Sequence, residues 1–228
     1  MATIEQNLQL VRTRMARACD LAHRPEQSVA LLVVSKTFGA DQVREAHACG
    51  ERQFGENYVQ EALDKMLALQ DLRANLCWHL IGPLQSNKTR SVAQAFDWVH
   101  SVDRLKIAQR LSEQRPPHLP PLQVCLQVNI SGELSKSGVA PVDLPALAHA
   151  VAALPRLRLR GLMAIPEATP TMEEQRLAYR ALHALLDQLK HQGLALDTLS
   201  MGMSADLEAA IMEGATLVRV GTAIFGAR

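Results

Sequence analysis

Leu31-Leu32-Val33-Val34-Ser35-Lys36 places four apolar residues, two of them β-branched, directly before a serine and a primary amine. A short run of this kind is a strand buried on both faces, as in a parallel sheet. Thr37-Phe38-Gly39 then turns the chain. The reading is a strand over 29–36 that delivers Lys36 at its carboxyl end. Lysine is rarely buried unless it is paired or used. Either Lys36 snorkels at a rim, or it is an amine that forms a Schiff base with a carbonyl compound.

Outward from this strand the pattern alternates. Further strands are expected at 52–57, 76–81, 98–102, 122–130, 157–165, 198–201 and 217–225. Helices are expected at 40–49, 58–69, 87–96, 104–114, 142–153, 172–191 and 205–213. Gly50 stops the first of these helices, Asp103 can cap the fourth, and Thr171 with Glu174 makes a capping box for the long sixth. A helix over 3–22, with Ile4, Leu8, Val11, Met15 and Cys19 on one stripe, precedes the repeating units. Strands alternating with helices demand a parallel sheet with right-handed crossovers. Eight such units in roughly 200 residues predict an α/β fold, a single (β/α)₈ TIM barrel with an extra N-terminal helix, as one domain over 1–228. The competing open doubly wound sheet would place a G-x-G-x-x-G after its first strand, and none is there.

Lys and Arg total 24 against 23 Asp and Glu, a balance that argues against nucleic acid or an anionic membrane as partner. No apolar run approaches the ~20 residues of a membrane span. Cys19, Cys49, Cys77 and Cys125 are scattered without zinc-ligand spacing, so no metal is expected and a reducing cytoplasm is the simplest compartment.

Barrel chemistry gathers at the carboxyl ends of the strands, and phosphate commonly sits after strands 7 and 8. Strand 1 brings Lys36 there, strand 2 brings Glu56, Asn57 and Tyr58, strand 3 leads into Gly82–Lys88, and strand 5 brings Asn129. Strand 7 brings Ser200-Met201-Gly202-Met203-Ser204, and strand 8 brings Arg219-Val220-Gly221-Thr222. Ser204 is expected at a helix start, as a plain N-cap or as part of an anion cradle with Gly221 and Thr222. Asp206 and Glu208 nearby would oppose an anion unless turned away. Arg219 interrupts an apolar strand, and a buried guanidinium needs a partner. A structural ion pair is one reading; a donor aimed at a ligand is the other. Pyridoxal 5′-phosphate (PLP) takes a lysine imine, a cradle of hydroxyls and backbone N–H groups, and a partner for its ring nitrogen. Lys36, the Ser204/Gly221/Thr222 set and Arg219 match those needs. A phosphosugar barrel with an aldolase-type Lys36 explains Arg219 less well.

Seven segments in order resemble the pyridoxal-phosphate homeostasis family: Val34–Thr37, Phe54–Asn57, Trp78–Lys88, Ser135–Gly138, Gly161–Met163, Ser200–Asp206 and Val218–Gly226. That family is similar to the N-terminal barrel domain of alanine racemases. The resemblance implies that Lys36 is the imine lysine (an internal aldimine), that Arg219 faces the pyridine nitrogen and that Asn57 lies beside the ring. It also implies that Ser204, Gly221 and Thr222 hold the phosphate, with Ser200, Met201 and Gly202 nearby. Lys136 is read as a solvated loop lysine or a second pyridoxal-reactive one. The implied function is PLP homeostasis and delivery, with apo-PLP enzymes as recipients and no catalytic residue. The alternative is a racemase-type enzyme, which needs two bases. With no second domain expected, a monomer is the default.

Overall fold

The computed structural model describes residues 2–132 and 137–226. The strands are β1 (Ala30–Val34), β2 (Gln53–Glu56), β3 (Cys77–Leu80), β4 (Trp98–Val102), β5 (Leu122–Gln127), β6 (Leu157–Met163), β7 (Thr198–Ser200) and β8 (Leu217–Val220). They form a closed, all-parallel barrel in sequential order. Closure comes from β1 against β8, with Ala30 opposite Leu217 and Val33 opposite Val220. That seam excludes the open sheet and brings Lys36 and Arg219 onto neighbouring strands.

The period of two along each strand divides the core. Val33, Phe54, Val99 and Val218 face outward into the large apolar layer between strands and helices. Leu32, Val34, Ile81 and Leu217 form a separate cluster inside the barrel. Lys36 continues the inward parity of Leu32 and Val34, and Arg219 that of Leu217. Gly55 also faces inward: a side chain there would press on Leu32 and Ile81 at 3.2–3.3 Å.

The helices are α1 (Ile4–Leu21), α2 (Ala40–Ala48), α3 (Val59–Ala68), α4 (Thr89–Ala95), α5 (Leu105–Gln114), α6 (Leu144–Ala152), α7 (Met172–His191), α8 (Leu207–Met212) and α9 (Thr222–Phe225). Helix α1 buries Leu8, Val11, Met15 and Cys19, and α7 has its Thr171/Glu174 capping box.

Three expectations need correcting. Asp103 does not cap α5; its carboxylate accepts from the neighbouring Arg104 guanidinium. Helix α8 begins at Leu207 with Asp206 in the cap position, so Ser204 is not its N-cap. The last strand stops at Val220, and Thr222–Phe225 is a helical turn. The Ala223-Ile224-Phe225 run is too short for its period to decide between strand and helix. Long-range contacts decide it: Ile224 is buried, its carbonyl accepts from Asn7 on α1 at 2.8 Å, and Phe225 stacks on Phe38 with ring centroids 4.7 Å apart.

Candidate functional site

Lys36 follows β1 on a turn that is fastened on both sides. Ser35 Oγ donates to Glu56 Oε1 at 2.6 Å, and the Ser35 carbonyl accepts from Lys65 Nζ at 2.7 Å. Thr37 N–H donates to Glu61 Oε1 on α3. Thr37 has φ +67°, a left-handed conformation that a β-branched residue rarely takes. The bond to Glu61 helps hold that turn and so aims the amine. Lys36 itself is exposed at the barrel mouth.

Arg219 is 3% exposed and opposite Leu32 in register. Its Nη1 donates to the Ser200 carbonyl and to Ser200 Oγ (2.8 Å), and its Nη2 donates to the Ala164 carbonyl at 2.9 Å. Among the described residues no carboxylate forms an ion pair with it. Among those residues its positive charge is held inside the barrel by neutral oxygens. Burial lowers its proton affinity while Tyr179 and Asp206 raise it.

Ser204 Oγ accepts from the Ala223 N–H of α9 at 3.4 Å. Gly221 and Thr222 open that short helix, so hydroxyls and early helical amides converge there. Two carboxylates that would oppose an anion are engaged elsewhere. Asp206 accepts from Tyr179 Oη at 2.7 Å and from Met203 N–H at 2.6 Å. Glu208 is gripped by the Arg14 guanidinium at 2.7 and 2.8 Å, which holds its carboxyl below the ordinary range despite partial burial. Arg14 also donates to the Ser204 carbonyl at 3.0 Å. Burial, then Asp206, pushes the Tyr179 phenol up, so it stays a donor.

A cavity of about 550 Å³ unites these parts. Lys36, Asn57, Ser204, Arg219, Gly221 and Thr222 line it, with Val34, Ile81, Ile165 and Met203 among its apolar walls. Asn57 Oδ1 is buried there without a partner. Ser200, Met201 and Gly202 do not line the cavity; all three are buried behind it. Ser200 braces Arg219. Gly202 has φ +89°, and a side chain there would strike the Ala210 methyl at 2.5 Å, so it serves the turn into α8. Tyr58 is 57% exposed rather than packed, and it is not among the lining residues. Residues 133–136, with Lys136, lie outside the described residues.

Sequence reasoning placed Glu56 at the end of the second strand and His79 in a resembling segment, but it did not find the Glu56–Lys65–Glu61 support or the burial of His79 and His100. The clearest signal is at His79, a polar residue between Trp78 and Leu80 in a strand; Lys65 and Glu61, on α3, carry none. Burial pushes His79 down to about 3, and burial, His79 and Arg219 keep His100 well below its ordinary value. Unfolded imidazoles protonate below 6.5, while these two stay neutral when folded, so stability falls as pH drops through 6.5 towards 3. Urea denaturation is expected to show a loss of about 4 kcal/mol from these two groups between pH 7 and 5, with about two extra protons bound by the unfolded chain at pH 5. An unfolding free energy that is flat over that interval would contradict neutral burial.

A closed barrel with this seam is the fold of the alanine racemase N-terminal domain. The profile of that family, "Alanine racemase, N-terminal domain", matches residues 2–228. Alanine racemase of Corynebacterium glutamicum, 17% identical, superposes with TM-score 0.66 over 97% of this chain and 62% of its own, a likeness of fold alone. A protein of Pseudomonas aeruginosa named pyridoxal phosphate homeostasis protein is 64% identical over 100% of this chain and 97% of its own length. PipY of Synechococcus elongatus, solved with PLP bound, is 40% identical with TM-score 0.82, covering 93% of this chain and 100% of that one. The chain belongs to the pyridoxal phosphate homeostasis protein family.

Proposed function

We propose that this chain binds PLP covalently through Lys36 and acts in intracellular PLP homeostasis, holding the cofactor for delivery to apo-enzymes. The observation that carries this reading is an exposed amine sharing a cavity with a buried guanidinium that, among the described residues, no carboxylate pairs. The residues fit the group. The cavity has the volume of a small-molecule site and apolar walls for an aromatic ring. The orphaned Asn57 Oδ1 marks a polar contact left for a ligand. Lys36 would hold the aldehyde carbon, Arg219 the ring nitrogen, and Ser204, Gly221 and Thr222 the phosphate. Ser200, Met201 and Gly202 support that set from behind. When bound, PLP supplies a reactive aldehyde and an electron-accepting ring. The whole barrel acts as one binding unit, and a monomer suffices for it.

What lines the cavity supports holding over catalysis. Among the described residues Lys36 and Arg219 are the ionisable ones that line the cavity, whereas racemisation takes a base on each face of the substrate. A guanidinium only donates hydrogen bonds, so a ring nitrogen meeting Arg219 is kept as an acceptor and the ring withdraws electrons weakly. PLP-enzyme chemistry of the racemase type is thus disfavoured. The cytoplasm is the compartment this reading assigns. The cysteines are unpaired, and among the described residues no helix is long and apolar enough to cross a membrane.

The test is the near-ultraviolet to violet spectrum of the protein with added PLP. An imine band should appear and vanish on borohydride reduction, leaving the mass of the adduct on the Lys36 peptide. Absence of both overturns the reading. Incubation with L- and D-alanine should leave optical rotation unchanged; turnover at ordinary enzymatic rates would replace the carrier with a racemase. Ser204→Ala is expected to weaken PLP retention about tenfold, the loss of one hydrogen bond to a charged group, without moving the thermal midpoint.

A further inference from the structure

Behind Arg219 a file of polar side chains crosses the barrel interior. Ser200 Oγ accepts from Arg219 Nη1 and lies 2.8 Å from His100 Nδ1. His100 Nε2 is 2.9 Å from His79 Nδ1, and His79 Nε2 is 3.3 Å from Cys77 Sγ. Ser200, His100 and His79 have no solvent exposure, and Trp98 stacks on the His79 ring with centroids 5.3 Å apart.

The chemistry of these groups orders the protons. A hydroxyl that accepts from a guanidinium has its own proton to give, and His100 Nδ1 is there to take it. With Nδ1 an acceptor, a neutral His100 carries its proton on Nε2 and donates it to His79 Nδ1. His79 then also carries its proton on Nε2, directed at Cys77 Sγ. Every donor in the file points away from the cavity. Such a chain strengthens each link, making Ser200 Oγ a better acceptor for Arg219. A protonated His100 would point Nδ1–H at the same oxygen and turn the hydroxyl proton onto the guanidinium. The remaining bonds of Arg219 go to two carbonyls, so Ser200 Oγ is its one side-chain anchor among the described residues.

We infer that His100 and His79, as neutral Nε2–H tautomers, are positioning residues that act through Ser200 to set how Arg219 presents its guanidinium to the cavity. The hydrogen-bond file stands independently of any ligand; the positioning role rests on the PLP reading above.

The two parts are tested separately. Long-range proton–nitrogen correlation spectra of the ¹⁵N-labelled, cofactor-free chain at pH 7 should show two imidazoles as neutral Nε2–H tautomers, assigned by their loss in His79→Gln and His100→Asn. Either ring found charged, or protonated on Nδ1, overturns the file. PLP titration then tests its purpose. Ser200→Ala and His100→Leu should each weaken binding roughly tenfold and shift the absorption maximum of the bound form. His100→Asn, which keeps an acceptor for the Ser200 hydroxyl, should restore both to near the parent values. A variant that is only less stable would keep the parent band in its folded fraction. Parent affinity and band in Ser200→Ala and His100→Leu overturn the positioning role. Correct tautomers in a parent chain that takes up no PLP overturn the cofactor reading and the role with it, and leave the file in place.

Discussion

Lys36→Ala protein mixed with PLP is expected to show no imine band and no borohydride-fixed adduct, while folding as the parent does. The amine is exposed at the mouth, and the bonds that shape its turn are made by Ser35, Thr37 and backbone groups. Removing the side chain breaks none of them, so stability should stay within about 0.5 kcal/mol, the usual range for surface substitutions. Lys65 cannot take over, because its Nζ is 2.6 Å from Glu56 and is held within the wall of the barrel. Non-covalent PLP would still meet Arg219 and the Ser204/Gly221/Thr222 group, so weak, unreduced binding is expected to persist. Absorbance and intact mass after borohydride treatment measure the loss. An unchanged band and adduct in Lys36→Ala would put the imine on another lysine.

Lys65→Met is expected to destabilise the fold by about 3–5 kcal/mol, the range for stripping one member from a buried ion pair. Lys65 is 5% exposed and Glu56 has no exposure. Burial pushes the Glu56 carboxyl up, and Lys65 and then Ser35 pull it down. One of its oxygens, Oε2, already lacks a partner. Without the ammonium, the carboxylate keeps the Ser35 hydroxyl as its one partner among the described residues, and the Ser35 carbonyl is left with the Phe38 N–H alone there. Urea denaturation at pH 7 measures the loss. Glu56→Gln in the same chain should recover part of it, since no unpaired charge is then buried. A single variant as stable as the parent would show that this ion pair does not fasten the turn. The same substitution loosens the segment that aims Lys36, so PLP affinity should fall even where the protein remains folded.

Much of the architecture can be read from residue order because it rests on local periodicity. Eight apolar runs with helical stripes between them specify the parallel barrel, and β4 falls at Trp98–Val102, as its pattern predicts. The inward parity of Leu32 and Val34 carries to Lys36, and an arginine inside an apolar strand announces a special site at Arg219. Local pattern is weaker where pieces are short. Residues 222–225 read as strand but fold as α9, because their apolar side chains satisfy either geometry until α1 and Phe38 pack on them.

The chain alone therefore determined the barrel, its closure between first and last strands, and which amine and guanidinium would share a mouth, since these follow from strand order and a period of two. Tertiary structure alone decided that Ser200 braces Arg219 rather than lining the cavity. It also decided that Asp206 and Glu208 are tied to Tyr179 and Arg14, and that Glu56 and Lys65 hold the lysine turn. Those roles depend on the direction of single polar atoms between segments distant in sequence, and hydrogen bonding acts over a few ångströms that no spacing along the chain records.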